Sequence, residues 1–246
     1  MRSVGFSTGA LALGDFRRAL DILRDWNMGA VELSALRDHE VAALMNALPE
    51  LDLHNYSYVS IHAPSAFRVL SEAEVAGHLS PCIGMGIPIV IHPDTIQNPD
   101  CWRAFGSLLC IENMDKRKRT GRTTSELEGF FDEFPDATFC FDIGHSRQVD
   151  STMSEAWRML RAFGSRLRQL HFSEIDAQGR HHGATLATIL ASRSLVDLIG
   201  PEIPAIIESQ VDACDIPREI DAVREGLEPS PHSTTERVAI DWGALA

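Results

Sequence analysis

VSIH at 59–62, IVIH at 89–92, LLCIE at 108–112, FCFD at 139–142, RQLH at 168–171 and AIIE at 205–208 follow one pattern. Each is a short, mostly apolar run that stops on a single side chain able to ligate a metal. AVE at 30–32 is a seventh, weaker case. A strand buried on both faces of a parallel sheet reads as a continuous apolar run. In a barrel of such strands the chemistry collects at the carboxyl ends. One such ending means little. Six in succession place His62, His92, Glu112, Asp142, His171 and Glu208 in a ring at the mouth of a barrel, with Glu32 beside them.

The sequence between these runs keeps the alternation that a barrel needs. Strands are expected over 3–7, 30–33, 58–62, 88–92, 108–112, 138–142, 167–172 and 205–208. Helices are expected over 15–26, 41–48, 72–85, 154–163 and 186–198. Another starts at Thr124 as N-cap and stops before Pro135. A last one has Pro217 in its first turn and runs to about 225. The link 93–106 has room for a turn or two of helix near 99–105. Eight strand–helix alternations predict an α/β fold, a single-domain (β/α)8 TIM barrel over residues 1–227. The length of 246 residues agrees with the ~250 typical of that fold. Residues 228–246, with Pro229, Pro231 and clustered Ser/Thr, read as a C-terminal extension, packed on the barrel or partly flexible; its stretch 238–242 is the part that could pack back.

Composition narrows the partners. The formal net charge is −13. Nucleic-acid binding draws its affinity from Lys and Arg that release phosphate counterions, so nucleic acid is not the expected partner and a small-molecule substrate is. A basic loop, Lys116, Arg117, Lys118, Arg119 and Arg122, follows Glu112. It reads either as a solvated surface loop or as a clamp for an anionic substrate. No apolar stretch approaches the ~18–20 residues that span a bilayer, and the N-terminus has no signal-peptide h-region. The five cysteines form no CxxC pair, so free thiols and a cytoplasmic location are expected. The oligomeric state is left open.

Glu112, Asp142 and Glu208 brought together with His171 would carry three negative charges. Two unit charges ~4 Å apart repel by ~4 kcal/mol at an effective dielectric of ~20. A divalent cation is the simplest neutraliser, and oxygen-rich ligands with an imidazole suit Mn, Zn, Mg or Co. His62 and His92, each followed by proline in IHAP and IHPD, would add a second cation if they are ligands and are otherwise structural. His145, three residues past Asp142, reads as a ligand, a substrate donor or a helix-capping histidine. One of His181 and His182 faces the mouth and the other solvent. Glu32 either touches substrate or merely ends its strand. His39, His54, His78 and His232 read as surface residues.

The motifs IHAPS, IHPD, IENMDKRK, FDIGHSRQVD, LHFSE and IIES resemble the xylose-isomerase-like TIM-barrel superfamily of sugar isomerases, epimerases and endonuclease-IV-type enzymes. The resemblance implies one metal held by Glu112, Asp142, His171 and Glu208. It further implies that His145 contacts substrate and that Glu112 and Glu208 act as acid and base. Endonuclease-IV-like members hold three zincs; His62, His92 and His145 match further ligands there, and one of His181 and His182, His181 being the candidate, offers a fourth. That group has an aspartate two residues before the last histidine, where this chain has Gly179 or Arg180. Two activities follow as expectations. The first is a divalent-metal-dependent isomerase or epimerase of a small sugar or hydroxy-ketone, moving a proton between two glutamates with Glu32, His145, Lys116, Arg117 and His182 around the substrate. The alternative is a zinc-dependent phosphoester hydrolase of endonuclease-IV type, or a non-catalytic metal-binding barrel.

Overall fold

The computed structural model of the protein describes residues 2–228. Eight parallel strands close into a barrel: β1 (Val4–Ser7), β2 (Ala30–Ser34), β3 (Tyr58–His62), β4 (Ile89–Ile91), β5 (Leu109–Glu112), β6 (Thr138–Asp142), β7 (Leu167–Phe172) and β10 (Ala205–Ile207). β8 (Glu174–Ile175) and β9 (His181–His182) form a separate antiparallel hairpin after β7. β1 closes the ring by pairing with both β2 and β10. The (β/α)8 barrel expected from the alternation is therefore the fold observed. Among the described residues no helix is long and apolar enough to cross a membrane.

Side-chain alternation along each strand divides the molecule into two environments. Outward positions such as Val31, Ile61, Ile91, Ile111, Phe141, Phe172 and Ile207 join the helices in one continuous apolar core. Burying side chains of this kind contributes ~1.5–3 kcal/mol each, so this outer layer holds the fold. Inward positions are different. Among the described residues Val90, Cys110 and Cys140 form a small apolar cluster there, and beside it runs a polar ladder: Tyr58 Oη donates to Gln169 Oε1 (2.6 Å), Gln169 Nε2 to Glu32 (2.7 Å) and Ser60 Oγ to Glu32 (3.0 Å). The core is outside the barrel wall, which leaves the inside free for chemistry.

The helices are α1 (Thr8–Ala12), α2 (Phe16–Leu23), α3 (Val41–Ala47), α4 (Glu72–Leu79), α5 (Pro81–Met85), α6 (Thr124–Glu133), α7 (Ile143–Val149), α8 (Ser154–Phe163), α9 (Leu186–Arg193) and α10 (Ile216–Leu227). Several differ from expectation. The helix over 72–85 is broken into α4 and α5, because Pro81 has no N–H to continue the ladder. The α6 cap is Thr123, whose side chain accepts from the Glu126 N–H, and Thr124 is already helical. The helix over 186–198 stops at Arg193, followed by one 3₁₀ turn at Val196–Leu198. The link near 99–105 is 3₁₀ rather than α. The extension expected at 228–246 falls, after Glu228, outside the described residues.

One side chain braces the mouth of the barrel. The Asp38 carboxylate, after β2, accepts backbone N–H bonds from Val69 (2.6 Å), Leu70 (2.9 Å), Arg68 (2.5 Å) and His39 (2.9 Å). Burial works against its ionisation, and these four donors outweigh it, holding its pKa down at about 2. Asp38→Ala is expected to cost about 1–3 kcal/mol, the range for stranding buried hydrogen-bond donors, read from urea unfolding. A folded pKa below the unfolded one means that the contribution is full above roughly pH 4 and fades as pH falls toward 2. Asp38→Asn should flatten that acid limb; wild-type stability in both variants would show that the clamp contributes nothing.

Candidate metal centre

The strand ends converge on Glu112. Its Oε2 lies 3.1 Å from His62 Nε2 and 3.2 Å from His92 Nε2. Its Oε1 lies 3.2 Å from His145 Nδ1 and 3.2 Å from His171 Nδ1. Glu208 Oε2 lies 3.3 Å from the same His171 nitrogen, and Asp142 Oδ2 lies 3.4 Å from His145 Nδ1 and 4.0 Å from His171 Nδ1. Glu112, Asp142 and His171 are buried, and Glu208 is nearly so.

The local structure explains why these groups hold their positions. α7 follows β6 without a loop, and Asp142 is its cap, with Oδ1 accepting the His145 N–H at 2.6 Å. That short connection puts His145 beside Glu112. Asn113 ties β5 to β6: its Oδ1 accepts the Asp142 N–H at 2.7 Å and its Nδ2 donates to the Asp142 carbonyl at 2.9 Å. The Asn113 carbonyl also takes the His145 Nδ1–H at 2.9 Å. In the same way the Ala63 carbonyl lies 2.7 Å from His62 Nδ1, so that the neutral ring carries its lone pair on Nε2. Such outer partners fix the ring nitrogen that ligates.

Charge balance in the site is strained. Burial alone would raise the Glu112 carboxyl, but His171, His145 and His62 hold it well below the usual carboxylate range. Glu208 is likewise kept low against burial by His171 and His181. For Asp142 burial wins over His145, and its pKa is pushed up to about 7. Against their own burial, His62 and His145 rise to about 9 and about 10 beside these carboxylates. Two buried carboxylate oxygens, Asp142 Oδ2 and Glu32 Oε1, have no hydrogen-bond partner. An orphaned buried oxygen beside a lone-pair nitrogen is what a cation would satisfy.

Ligand atoms of three groups lie mutually within 4.8 Å: Glu112, Asp142, His171 and Glu208; His62, His92 and Glu112; Glu32, His62, His171 and Glu208. The residues therefore fit divalent cations, and the donor set of carboxylate oxygens and imidazoles suits Mn, Zn, Mg or Co alike. Glu112 belongs to two of the groups, with a different oxygen toward each. His92 carries a complication: Lys118 Nζ, paired with Asp94 at 2.9 Å, stands 3.4 Å from its Nδ1.

Above the ligands is a cavity of about 230 Å³ lined by His62, His92, Glu112, His145, His181 and Glu208, with Asp115, Arg117 and Lys118 on its wall. His181 faces it, with Nδ1 2.8 Å from Ser173 Oγ and 3.5 Å from Glu208 Oε2. His182 does not; it is half-exposed and paired with Asp176 at 2.9 Å. Lys116 is exposed and lines no part of the cavity, so Lys118 takes the place expected of it. Glu32 sits below the cavity, 3.3 Å from His171 Nε2, as a buried partner of that ring and away from the cavity lining. His39, His54 and His78 are exposed as expected, and His232 lies outside the described residues. Asn113, Asp115, Gln169 and Ser173 went unread in the sequence, although Gln169, two residues before His171, shares its inward face. A larger cavity of about 560 Å³ opens at the opposite end, between α2 and 50–56; none of the three ligand groups touches it.

No family model matches the chain, and no curated protein matches it in sequence. Solved structures do. Endonuclease IV from Thermus thermophilus superposes with a TM-score of 0.58 at 16% identity, over 91% of this chain and 99% of that one. SacUVDE gives a TM-score of 0.55 at 15% identity, over 92% and 99%. The fold is theirs. At such identity the likeness carries the barrel and nothing of the reaction.

Two outcomes follow for metal content. Asp142→Ala should lose one equivalent of cation after dialysis and Glu112→Ala both, while circular dichroism stays that of the folded barrel, since the core lies outside the wall. An Asp142→Ala protein with full metal content by elemental analysis would remove Asp142 from the ligand set. Binding should also release a proton, because His62, a member of two of the ligand groups, has its pKa raised to about 9 beside Glu112. Apparent affinity for Mn²⁺ is thus expected to rise from pH 6 to pH 9; a flat profile would contradict imidazole ligation.

Proposed function

We propose that the protein is a two-cation hydrolase of small phosphate esters. The observation that carries this reading is the division of Glu112, one oxygen toward His62 and His92 and the other toward His171. His62, His92 and Glu112 would hold one cation, and Glu112, Asp142, His171 and Glu208 the other. When bound, such a pair polarises a phosphoryl oxygen and acidifies a water. The chain supplies the remainder. Arg117 and Lys118 bring positive charge to the wall of a cavity that is otherwise acidic. Glu208, kept ionised beside His171 and His181, is the carboxylate placed to accept a proton from attacking water. A cavity of about 230 Å³ and a net charge of −13 favour a small substrate over a nucleic-acid duplex.

The second reading remains the isomerase or epimerase of a small sugar or hydroxy-ketone. What favours it is that Glu112 and Glu208 approach one point, 3.2 and 3.3 Å from His171 Nδ1, as a proton relay between two carboxylates needs. His62 and His92 decide between the two. They are surplus to a one-cation site and essential to a two-cation one.

The test is hydrolysis of p-nitrophenyl phosphate and bis(p-nitrophenyl) phosphate by Mn²⁺- or Zn²⁺-loaded protein, alongside solvent-deuterium incorporation into a panel of hydroxy-ketones. Glu208→Gln should lower kcat by ~10²–10⁴-fold, the usual worth of a positioned acid or base. His62→Ala with His92→Ala should abolish hydrolysis and leave one cation. Deuterium exchange that survives the double variant, with no phosphate released by wild type, would hand the protein to the isomerase reading.

A further inference from the structure

The hairpin after β7 contains a gap that another residue fills. Gly179, at φ 73° in the Asp176–Gly179 turn between β8 and β9, has no side chain. A Cβ built there would fall inside the Arg117 guanidinium. Arg117 comes from a different element, the loop between β5 and α6, and crosses to the hairpin along the cavity wall. Its Nε and Nη2 donate to the buried Asp115 carboxylate at 3.0 and 3.1 Å, and Nη1 donates to the Gln178 carbonyl. Asp115 also accepts the Arg117 N–H at 2.7 Å, so carboxylate and loop are one rigid unit. A guanidinium has five N–H groups. Three are used, and the unspent N–H on each of Nη1 and Nη2 remains for a ligand.

His145 and His181 stand edge-to-face, 5.7 Å between centroids, yet His181 belongs to none of the three ligand groups among the described residues. Position 179, two residues before His181, is a glycine whose side-chain space Arg117 fills.

We infer that Arg117, seated over Gly179 and braced by Asp115, is the anion-binding and specificity-determining residue of the cavity, a permanent cation that takes a phosphate oxygen of the substrate. The inference rests on the phosphoester reading and names the feature of the substrate that the site selects, an anionic group reaching the hairpin side of the cavity. Lys118 has no comparable role, because Asp94 and His92 already engage its ammonium.

Inorganic phosphate titrated calorimetrically into Mn²⁺-loaded protein tests the inference without reference to turnover. Arg117→Gln should weaken phosphate about 10- to 100-fold, and Arg117→Lys should recover little of it, because a point charge does not reproduce the fork. Gly179→Ala leaves Arg117 in the sequence but evicts its guanidinium, and should weaken phosphate as much. The double variant should be no worse than either single one, since both remove the same contact. Metal stoichiometry should stay at the wild-type value throughout. Unchanged phosphate affinity in Arg117→Gln, additive losses in the double variant, or no phosphate binding by wild type would each overturn the inference. If phosphate binding follows this pattern while no phosphoester is hydrolysed, the anion site stands and the hydrolase reading falls.

Discussion

Glu112 is the group on which the site depends. A buried carboxylate within 3.2 Å of four imidazoles is not a packing solution that apolar chemistry would select, because each desolvated charge costs several kcal/mol unless it is compensated. It persists because β3 and β7, the residue just after β4 and the first turn of α7 deliver His62, His171, His92 and His145 to the same point. The closed barrel enforces that convergence. Its energy comes from the outward faces, where Ile, Val and Phe side chains meet the helices, so the inward faces are free to hold groups that destabilise one another in the absence of a cation. Stability and function are thus separated by the alternation of a strand.

That separation also explains the second tier. Glu32, Ser60, Tyr58 and Gln169 lie one step below the ligands and form a hydrogen-bonded chain across the barrel from β2 and β3 to β7. The chain ends at His171 Nε2, which has Gln169 Nε2 at 2.9 Å and Glu32 Oε2 at 3.3 Å. When Nδ1 serves a cation the ring proton lies on Nε2, and Glu32 is the acceptor in reach. A carboxylate behind a ligating histidine raises its basicity and fixes its plane. Glu32 thus lies behind the ring and lines no part of the cavity.

Much of this was legible in the sequence. Three strands, 58–62, 138–142 and 167–172, have the bounds read from the apolar runs, because a run buried on both faces leaves no ambiguity of period. The strand-end candidates came from the same runs, and all but Glu32 and the buried Asp142 and His171 line the cavity. What the sequence did not disclose lies where structure is made by short-range geometry. α7 begins on Asp142 itself, with no turn residue to announce it, and the hairpin at Glu174–His182 is only two residues wide on each side. The choice between His181 and His182 is a matter of which face of that small hairpin meets the cavity, and alternation cannot assign a face without knowing which way the hairpin leans.

The basic loop shows how a residue list falls short of a site. Five cations follow Glu112 in the sequence, and counting charge cannot rank them. The structure ranks them by who is held. Arg122 is spent on Glu126 at 2.5 Å, Lys118 on Asp94, and Lys116 and Arg119 line no part of the cavity. Arg117 alone is fixed on the cavity wall by a buried carboxylate on one side and a carbonyl on the other, with donors to spare. Fixing matters because a mobile lysine loses about 2 kcal/mol of rotamer freedom when it is ordered by a ligand, whereas a guanidinium already ordered by the protein has met that cost during folding. An acidic protein can in this way bind an anion with one well-placed charge, since the local field at the wall is set by what is immobilised there and the distant surface charge is screened within about 10 Å at ordinary salt.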